Sequence, residues 1–164
     1  MRDRGQLLTL AAEIDNRLSD LLNIVQEART WQKINKDRNP DTFSLRAMGS
    51  ILHDFYSCIE NVFENIAVTL NGGLPKEPNW HKRLLQNMTL DIPKLRPAVI
   101  SRDLEKKLDE YLRFRHIFRN VYGHLLEWER MEHLVRELDG VASRVTRELA
   151  IFKAFLIHLA EKLE

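Results

Sequence analysis

The stretch MGSILHDFYSCIENVFENIA, residues 48–67, decides the fold of this chain. Its large apolar side chains recur at alternating steps of four and three residues, the spacing that places side chains on one face of an α-helix. This stripe consists of Met48, Leu52, Phe55, Ile59, Val62 and Ile66. Asn71, Gly72 and Gly73 follow, and such residues commonly end a helix because they adopt left-handed backbone conformations easily. The spacing therefore predicts a long helix that is capped by Asp41 or Thr42 and ends near Asn71.

The same spacing recurs on both sides of this segment. One apolar stripe runs from Leu7 to about Trp31, and another runs from Leu134 to Leu159. Between them, residues 80–88 are long enough for only a few helical turns, and Ser101 is placed to cap a further helix. No segment alternates apolar and polar residues as a strand does. The sequence predicts an all-α fold with four long helices and one short helix in an up-down bundle.

Length and composition predict one domain over residues 1–164 that folds without disulfides. Cys58 is the one cysteine and lies among apolar residues at helical spacing, so we interpret it as a core residue rather than a nucleophile. The first residues include no apolar leader and no run is long enough to span a bilayer, so we expect a cytoplasmic protein without membrane contact. The net charge of +1 excludes a global polyanion-binding field, and any nucleic-acid contact must be local.

The segment RFRHIFRNVYGHLLEW, residues 113–128, carries the chemistry. It gathers three arginines and two histidines with a tyrosine and an asparagine, and no acidic residue lies among them. Guanidinium groups without a neighbouring carboxylate are free to hold phosphate, and imidazoles transfer protons at neutral pH. The segment therefore predicts a phosphodiester substrate.

The apolar stripe of the fourth helix, continued from Leu104, reaches Tyr122 and Leu125, so we expect the helix to include both. This stripe places Arg115 on the core-facing side, where an unpaired charge costs several kcal/mol. The acidic residues best placed to meet it are Glu60 and Glu64 of the second helix, and we favour Glu60 because it adjoins the apolar stripe.

The arginine and histidine of this segment also carry a resemblance to a known family. Arg119, Asn120 and His124 match the Arg-X4-6-His signature of HEPN domains, which are all-α ribonucleases. The segments FYSCIENVFENIA, WHKRLLQNM, RPAVIS and RFRHIFRNVYG, taken in order, resemble the HepT-like ribonuclease toxins over most of the chain.

The resemblance implies a metal-independent endoribonuclease that acts as a homodimer on RNA, with arginine holding the scissile phosphate and histidine moving protons. It also implies a minimal nucleotidyltransferase (MNT) antitoxin that attaches AMP to a tyrosine near the motif. In the better-known version this tyrosine follows the histidine by two residues. That position is Leu126 in this chain, and the nearest hydroxyl belongs to Tyr122.

The spacing of the motif leaves the location of the site open. Five residues of a continuous helix separate Arg119 and His124 by about 140°, so the two side chains do not share a face. Either Gly123 loosens the helix, or a two-fold axis completes the site across a dimer interface, and we favour the dimer with the fourth helix at its interface.

A second arrangement competes with the motif, because Arg115, Arg119 and Tyr122 share a helical face beside His116 and Asn120. His116 is then the proton-transferring residue, although we favour His124. In a structural interpretation, His116 instead holds Arg119 or Glu60.

No cofactor or metal is expected. The remaining histidines are scattered without ligands at repeated spacing, and no glycine-rich phosphate-binding motif is present; the four histidines are His53, His81, His133 and His158. As an alternative to the ribonuclease, the chain is a catalytically silent HEPN-like dimerisation module that binds a nucleotide or a nucleotidyltransferase, a reading that the leucine at position 126 supports.

Overall fold

The computed structural model describes residues 3–163, which form helices joined by short connections. These helices are α1 (Arg4–Ile34), α2 (Thr42–Leu70), α3 (Trp80–Asn87), α4 (Arg102–Asn120) and α5 (Trp128–Glu161), with a 3₁₀ turn at Gly123–Leu125. Within residues 3–163 there is no β-strand, and the one β-type pairing is an isolated bridge between Ile92 and Arg96. The predicted all-α architecture, with four long helices and one short helix, is confirmed.

Side-chain caps fix where α2 and α4 begin. Asp41 accepts a hydrogen bond from the backbone N–H of Ser44 at 2.8 Å, so Asp41 rather than Thr42 caps α2. Ser101 caps α4 as predicted, because its hydroxyl accepts from the backbone N–H of Leu104 at 3.2 Å. Such caps satisfy backbone donors that have no partner inside the helix.

The four long helices form a closed up-down bundle in which α1 packs on α2 and α5, and α4 packs on α2 and α5 from the other side. Ion pairs show that α1 and α5 are antiparallel: Arg29 Nε lies 3.1 Å from Asp139 Oδ1, and Lys153 Nζ lies 2.7 Å from Asp15 Oδ1. The apolar stripes all face inward and form one continuous core. No helix within residues 3–163 is both long and apolar enough to cross a membrane.

Two aromatic contacts pack pairs of helices together. The rings of Phe55 and Tyr111 lie 5.0 Å apart and pack α2 on α4. The rings of Trp31 and Trp128 lie 5.4 Å apart and join the end of α1 to the start of α5. Trp31 also donates its indole N–H to the backbone carbonyl of Ser44 at 2.8 Å, which fixes the α1–α2 connection.

A buried arginine organises the connection from α3 to α4. Arg96 is 3 % exposed, and its guanidinium donates to the backbone carbonyls of Asn87, Leu90 and Pro97 and to the side-chain oxygen of Asn71. Burial lowers the pKa of Arg96, but these four oxygen atoms replace the water that its charge has lost. The connection therefore holds α3 against the α2–α4 side of the bundle.

Candidate functional site at the end of α4

The fourth helix ends before the motif does. Val121 has an extended backbone with φ −124° and ψ 152°, and the following 3₁₀ turn shifts the register so that Leu126 enters the core in place of Leu125. The prediction that the helix includes Tyr122 and Leu125 is wrong, since these side chains are 75 % and 58 % exposed. The 140° separation assumed a continuous helix and therefore does not apply here. The helix ends at Val121, two residues before Gly123, which one of the two alternatives held to loosen the helix.

Arg119, His116 and Asn120 occupy the last exposed turn of α4. The Asn120 side-chain amide donates to the backbone carbonyl of His116 at 2.7 Å and so satisfies one of the acceptors at the helix end. Within residues 3–163, no hydrogen bond or ion pair engages the Arg119 guanidinium or the His116 ring. The structural interpretation of His116, as a partner of Arg119 or Glu60, is therefore wrong.

His124 lies in the 3₁₀ turn with its ring against that of Tyr122. The two ring centroids are 5.8 Å apart and the planes are nearly parallel, at 13°. The turn itself is closed by hydrogen bonds from the Leu125 N–H to the Tyr122 carbonyl and from the Leu126 N–H to the Gly123 carbonyl. Both rings are exposed, so the histidine and the phenol form a paired aromatic edge that a ligand can reach. No hydrogen bond among the described residues links His124 to Arg119.

Gly49 and Arg46 of α2, which were not predicted to take part in the site, contact residues 118–126. A Cβ atom on Gly49 would lie 2.7 Å from Phe118 Cε2 and 3.3 Å from Leu126 Cδ1, so only glycine lets the segment approach α2 this closely. A Cβ atom on Gly123 would lie 2.7 Å from Arg46 Nε, which places the exposed Arg46 guanidinium against the turn that carries His124. Arg46 is thus a second cation at the motif.

A buried polar cluster lies about one helical turn before Arg119. Arg115 Nη2 lies 2.9 Å from Glu60 Oε1, and Arg115 Nη1 donates to Ser57 Oγ at 3.1 Å. The pairing with Glu60 rather than Glu64 is confirmed. The same carboxylate contacts His81 Nδ1 at 3.0 Å with both oxygens, so we assign the proton to Nδ1, which donates to Glu60. The histidine bound to Glu60 is therefore His81.

Two of the three arginines in the segment are consequently not free. Arg115 is 4 % exposed and its guanidinium is held by Glu60 and Ser57. Arg113 Nη2 lies 2.9 Å from Asp109 Oδ2, one turn earlier on α4. The pairing of Arg115 was expected, but the interpretation of Arg113 as a guanidinium group without a carboxylate partner is wrong, because Asp109, which lies just outside the segment, reaches it. Within residues 3–163, Arg119 is the one of the three that has no acidic partner.

Burial controls the titration of groups around this cluster. Burial, reinforced by the negative charge of Glu60, raises the pKa of the Glu64 carboxyl. Burial also raises the pKa of the Cys58 thiol, to about 11, and the Cys58 Sγ contacts the Arg17 carbonyl at 3.3 Å. A thiol with such a pKa is a poor nucleophile near neutral pH, which agrees with the interpretation of Cys58 as a packing residue.

A groove opens between α4 and α5 beside the motif. It has a volume of about 390 Å³, and its floor is apolar, formed chiefly by Phe114, Ile117, Val121, Leu125 and Met131. Charged side chains of both signs also line it, namely Glu110, Arg113, Glu127 and Arg130. Among residues 3–163, no three histidine, cysteine, aspartate or glutamate side chains lie close enough together to hold a metal ion.

Comparison with known proteins agrees with this architecture. Neither the curated proteins nor the solved structures include a significant match. The model of one protein family, described as HepT-like protein, matches residues 47–156. The match covers well over half of the chain, extends over most of α2, all of α3 and α4 and most of α5, and includes the positions of Arg119 and His124. This chain therefore belongs to the HepT-like protein family.

Proposed function

We propose that the protein is a metal-independent endoribonuclease toxin that cleaves RNA phosphodiesters with Arg119 and His124. The observation that carries this proposal is the Arg119 guanidinium, which is exposed at the end of α4 with no acidic partner among residues 3–163. An arginine in this state is able to donate two parallel hydrogen bonds to the oxygens of a phosphate. Family membership supports the same assignment.

The reaction requires three contributions, and the segment offers a cation and a histidine that transfers protons. A base removes the proton from the ribose 2′-hydroxyl, an acid protonates the leaving 5′ oxygen, and a cation stabilises the charge on the phosphorane. Arg119 supplies the cation, and His124 transfers protons from the exposed turn. Asn120 acts by holding the end of α4 through its bond to the His116 carbonyl. His116 remains the competing proton-transferring residue because it is exposed beside Arg119.

The proposed role of Arg115, Glu60 and Tyr122 is to position the reacting groups. Arg115 and Glu60 position the reacting residues, because their buried ion pair locks α4 against α2 one turn before Arg119. Tyr122 stacks on His124 and orients its ring.

The active species is proposed to be a homodimer in the cytoplasm, paired through the α4–α5 groove. This groove is apolar, adjoins the motif and includes the exposed side chains of Ile117 and Leu125. A two-fold axis there would bring two copies of the motif into one cleft.

The proposed partner is an MNT-type nucleotidyltransferase antitoxin that attaches AMP to Tyr122. The chain has three tyrosines, and Tyr56 and Tyr111 are fully buried. Tyr122 is 75 % exposed, so it is the tyrosine that a second protein is able to reach. An AMP group on this residue would lie over His124 and block access to its ring.

Cleavage of labelled RNA in the presence of EDTA tests the proposal. We expect wild-type protein to cut, Arg119→Ala to lose activity, and loss of the proton-transferring histidine to cost about a hundred- to ten-thousandfold. Comparison of His124→Ala with His116→Ala identifies that histidine. His158→Ala is the matched control, because His158 is exposed near the far end of α5. Cutting that survives Arg119→Ala, or that requires a metal, contradicts the mechanism.

The alternative function is a silent dimerisation module that binds a nucleotide or a nucleotidyltransferase. Leu126 favours it, because the position that carries the modified tyrosine in the better-known motif is here a core residue, 9 % exposed. Absence of cleavage by wild-type protein that nevertheless binds a nucleotidyltransferase would support this alternative.

A further inference from the structure

The surface shared by α3 and the solvent side of α4 carries an excess of positive charge. Arg83 of α3 and Arg102 and Lys106 of α4 line one open pocket of about 370 Å³. Within residues 3–163, none of these three cations has an ion-pair partner. The pocket also exposes the polar groups of Gln86, Asn87 and Thr89, while Glu105 is the one acidic residue that lines it.

The positive surface continues along α4 toward the motif. Next to the pocket, Lys82 Nζ lies 3.5 Å and Arg113 Nη2 lies 2.9 Å from the carboxylate of Asp109. The Asp109 side chain is only 10 % exposed, whereas those of Lys82 and Arg113 are 50 % and 69 % exposed. One nearly buried carboxylate therefore serves two exposed cations, and the excess of positive charge extends to Arg113.

Helical geometry aligns these residues with the candidate site. Steps of four, seven, three and four residues from Arg102 lead to Lys106, Arg113, His116 and Asn120, all within about 40° of the Arg102 direction on the helix. The stripe is about 27 Å long and also includes the nearly buried Asp109, and Arg119 lies at its end, about 60° round the helix from His116. We call this stripe, together with Lys82 and Arg83 of α3, the α3–α4 cationic band.

We propose that the α3–α4 cationic band binds the phosphates of the single-stranded RNA that flanks the scissile bond. This proposal rests on the proposed function, which places the reacting phosphate at Arg119, and it assigns a path to the rest of the strand. A linear row of cations matches a linear polyanion better than it matches a mononucleotide. The whole chain has a net charge of only +1, so the positive charge of the band is a local feature and not part of a generally basic surface.

The chemistry of the band gives affinity without reading bases. Lysine and arginine contacts to phosphate depend on salt, because each contact releases counterions from the strand. At the far end of the band, the amides and hydroxyl of Gln86, Asn87 and Thr89 are placed to hydrogen-bond ribose hydroxyls. The band therefore favours long RNA over short oligonucleotides and leaves the choice of cleavage position to the motif.

Binding of 2′-O-methyl RNA, which lacks the attacking hydroxyl, tests the band separately from cleavage. Fluorescence anisotropy would follow a strand of about 16 nucleotides, the upper range of single-strand site sizes. The test variant is Arg83→Ala/Arg102→Ala/Lys106→Ala, and the control is Lys33→Ala/Arg136→Ala/Arg147→Ala, which removes three exposed cations of α1 and α5. Circular dichroism verifies that both variants keep their helices.

We expect the band variant to bind RNA about tenfold or more weakly, whereas the control changes little. The slope of log affinity against log salt, measured between about 50 and 200 mM, should fall by about 2 for three lost contacts at about 0.7 each. With 2′-hydroxyl RNA, the variant should lose kcat/KM on long strands and keep the wild-type rate on a trinucleotide.

Each outcome separates the band from the ribonuclease. If wild-type protein binds RNA through the band and cuts none, the ribonuclease fails and the band stands. If wild-type protein cuts RNA and the band variant binds and cuts as the control does, the band is refuted and the ribonuclease stands. Absence of RNA binding by wild-type protein overturns the band, and its cations then face another ligand, such as an acidic surface of a partner protein.

Discussion

Arg115 and Glu60 form a doubly contacted ion pair inside the bundle, with Arg115 Nη2 at 2.9 Å from Oε1 and 3.0 Å from Oε2 of the carboxylate. Their side chains are 4 % and 5 % exposed. Tyr56 lies under the pair, with its ring centroid 4.9 Å from the guanidinium carbon. A charge pair at this depth joins α2 to α4 and makes each partner depend on the other.

We therefore expect Glu60→Gln and Arg115→Met each to lower the free energy of unfolding by about 3 to 5 kcal/mol, because each removes one charge of the buried ion pair and leaves the opposite charge in place. The double variant Glu60→Leu/Arg115→Met should lose less than the sum of the two, since it buries neither charge. Urea denaturation measures all three. The surface variant Arg113→Met is the control, and its exposed pair with Asp109 should contribute no more than about 1 kcal/mol. Additive losses in the double variant would contradict the coupling.

Gly49→Ala should both destabilise the protein and impair the proposed site. The added Cβ would lie 2.7 Å from the half-buried Phe118 ring, and overpacking of this kind costs about 1 to 3 kcal/mol. Relief of the clash displaces residues 118–126, so RNA cleavage should fall as well. Gly140→Ala is the control, because nothing lies within 4 Å of its Cβ position on α5, and it should stabilise by about 0.5 to 1 kcal/mol. A Gly49→Ala protein as stable as wild type would disprove the close approach.

Modification by a nucleotidyltransferase partner should occur at Tyr122. Mass spectrometry after incubation with such a partner and ATP should detect one AMP group on wild-type protein and none on Tyr122→Phe. Adding Leu126→Tyr to the Tyr122→Phe variant should not restore the modification, because position 126 is buried in the core. Recovery of the AMP group in that double variant would show that residue 126 becomes accessible.

Ionisation of the Glu64 carboxyl should lower the free energy of unfolding as the pH rises. Burial raises its folded-state pKa above the ordinary value of 4.5, so the unfolded chain releases this proton at lower pH than the folded protein does. The associated stability is fully present below about pH 4.5 and is lost as the pH rises through the folded-state pKa. Glu64→Gln should therefore raise Tm relative to wild type at pH 7 and lose this advantage near pH 4. The control Glu132→Gln, at an exposed position of α5, should show no such crossover.

Periodicity was sufficient to predict the helices because each long helix buries one apolar stripe, and the caps at Asp41 and Ser101 obey local rules. The end of α4 was predicted wrongly because the apolar spacing continues in the sequence beyond the residue at which the helix ends. Leu125 continues the stripe in sequence, but the extended Val121 and the 3₁₀ turn bring Leu126 to the core instead. A one-residue change of register of this kind depends on α2, against which the turn packs.

The partners of the charged residues were predictable only where a stripe placed a charge inward. Arg115 on a core-facing position indicated a buried acid on α2, and Glu60 fulfils that requirement. His81 comes from α3, and no local pattern indicated that its ring would reach the same carboxylate. Gly49 was detectable in principle, because a glycine beside the apolar stripe of a helix costs stability unless another segment needs the space.

The contact between Trp31 and Trp128 gives the protein an internal optical probe. Two indoles at 5.4 Å couple electronically, so their near-ultraviolet circular dichroism depends on the relative orientation of the rings. Trp128 is the first residue of α5 and follows the His124 turn by only three residues, while Trp31 is anchored to α2 through Ser44. A rearrangement of that turn on dimer formation, RNA binding or AMP attachment that moves Trp128 relative to Trp31 should therefore change the near-ultraviolet circular dichroism spectrum of the unlabelled protein.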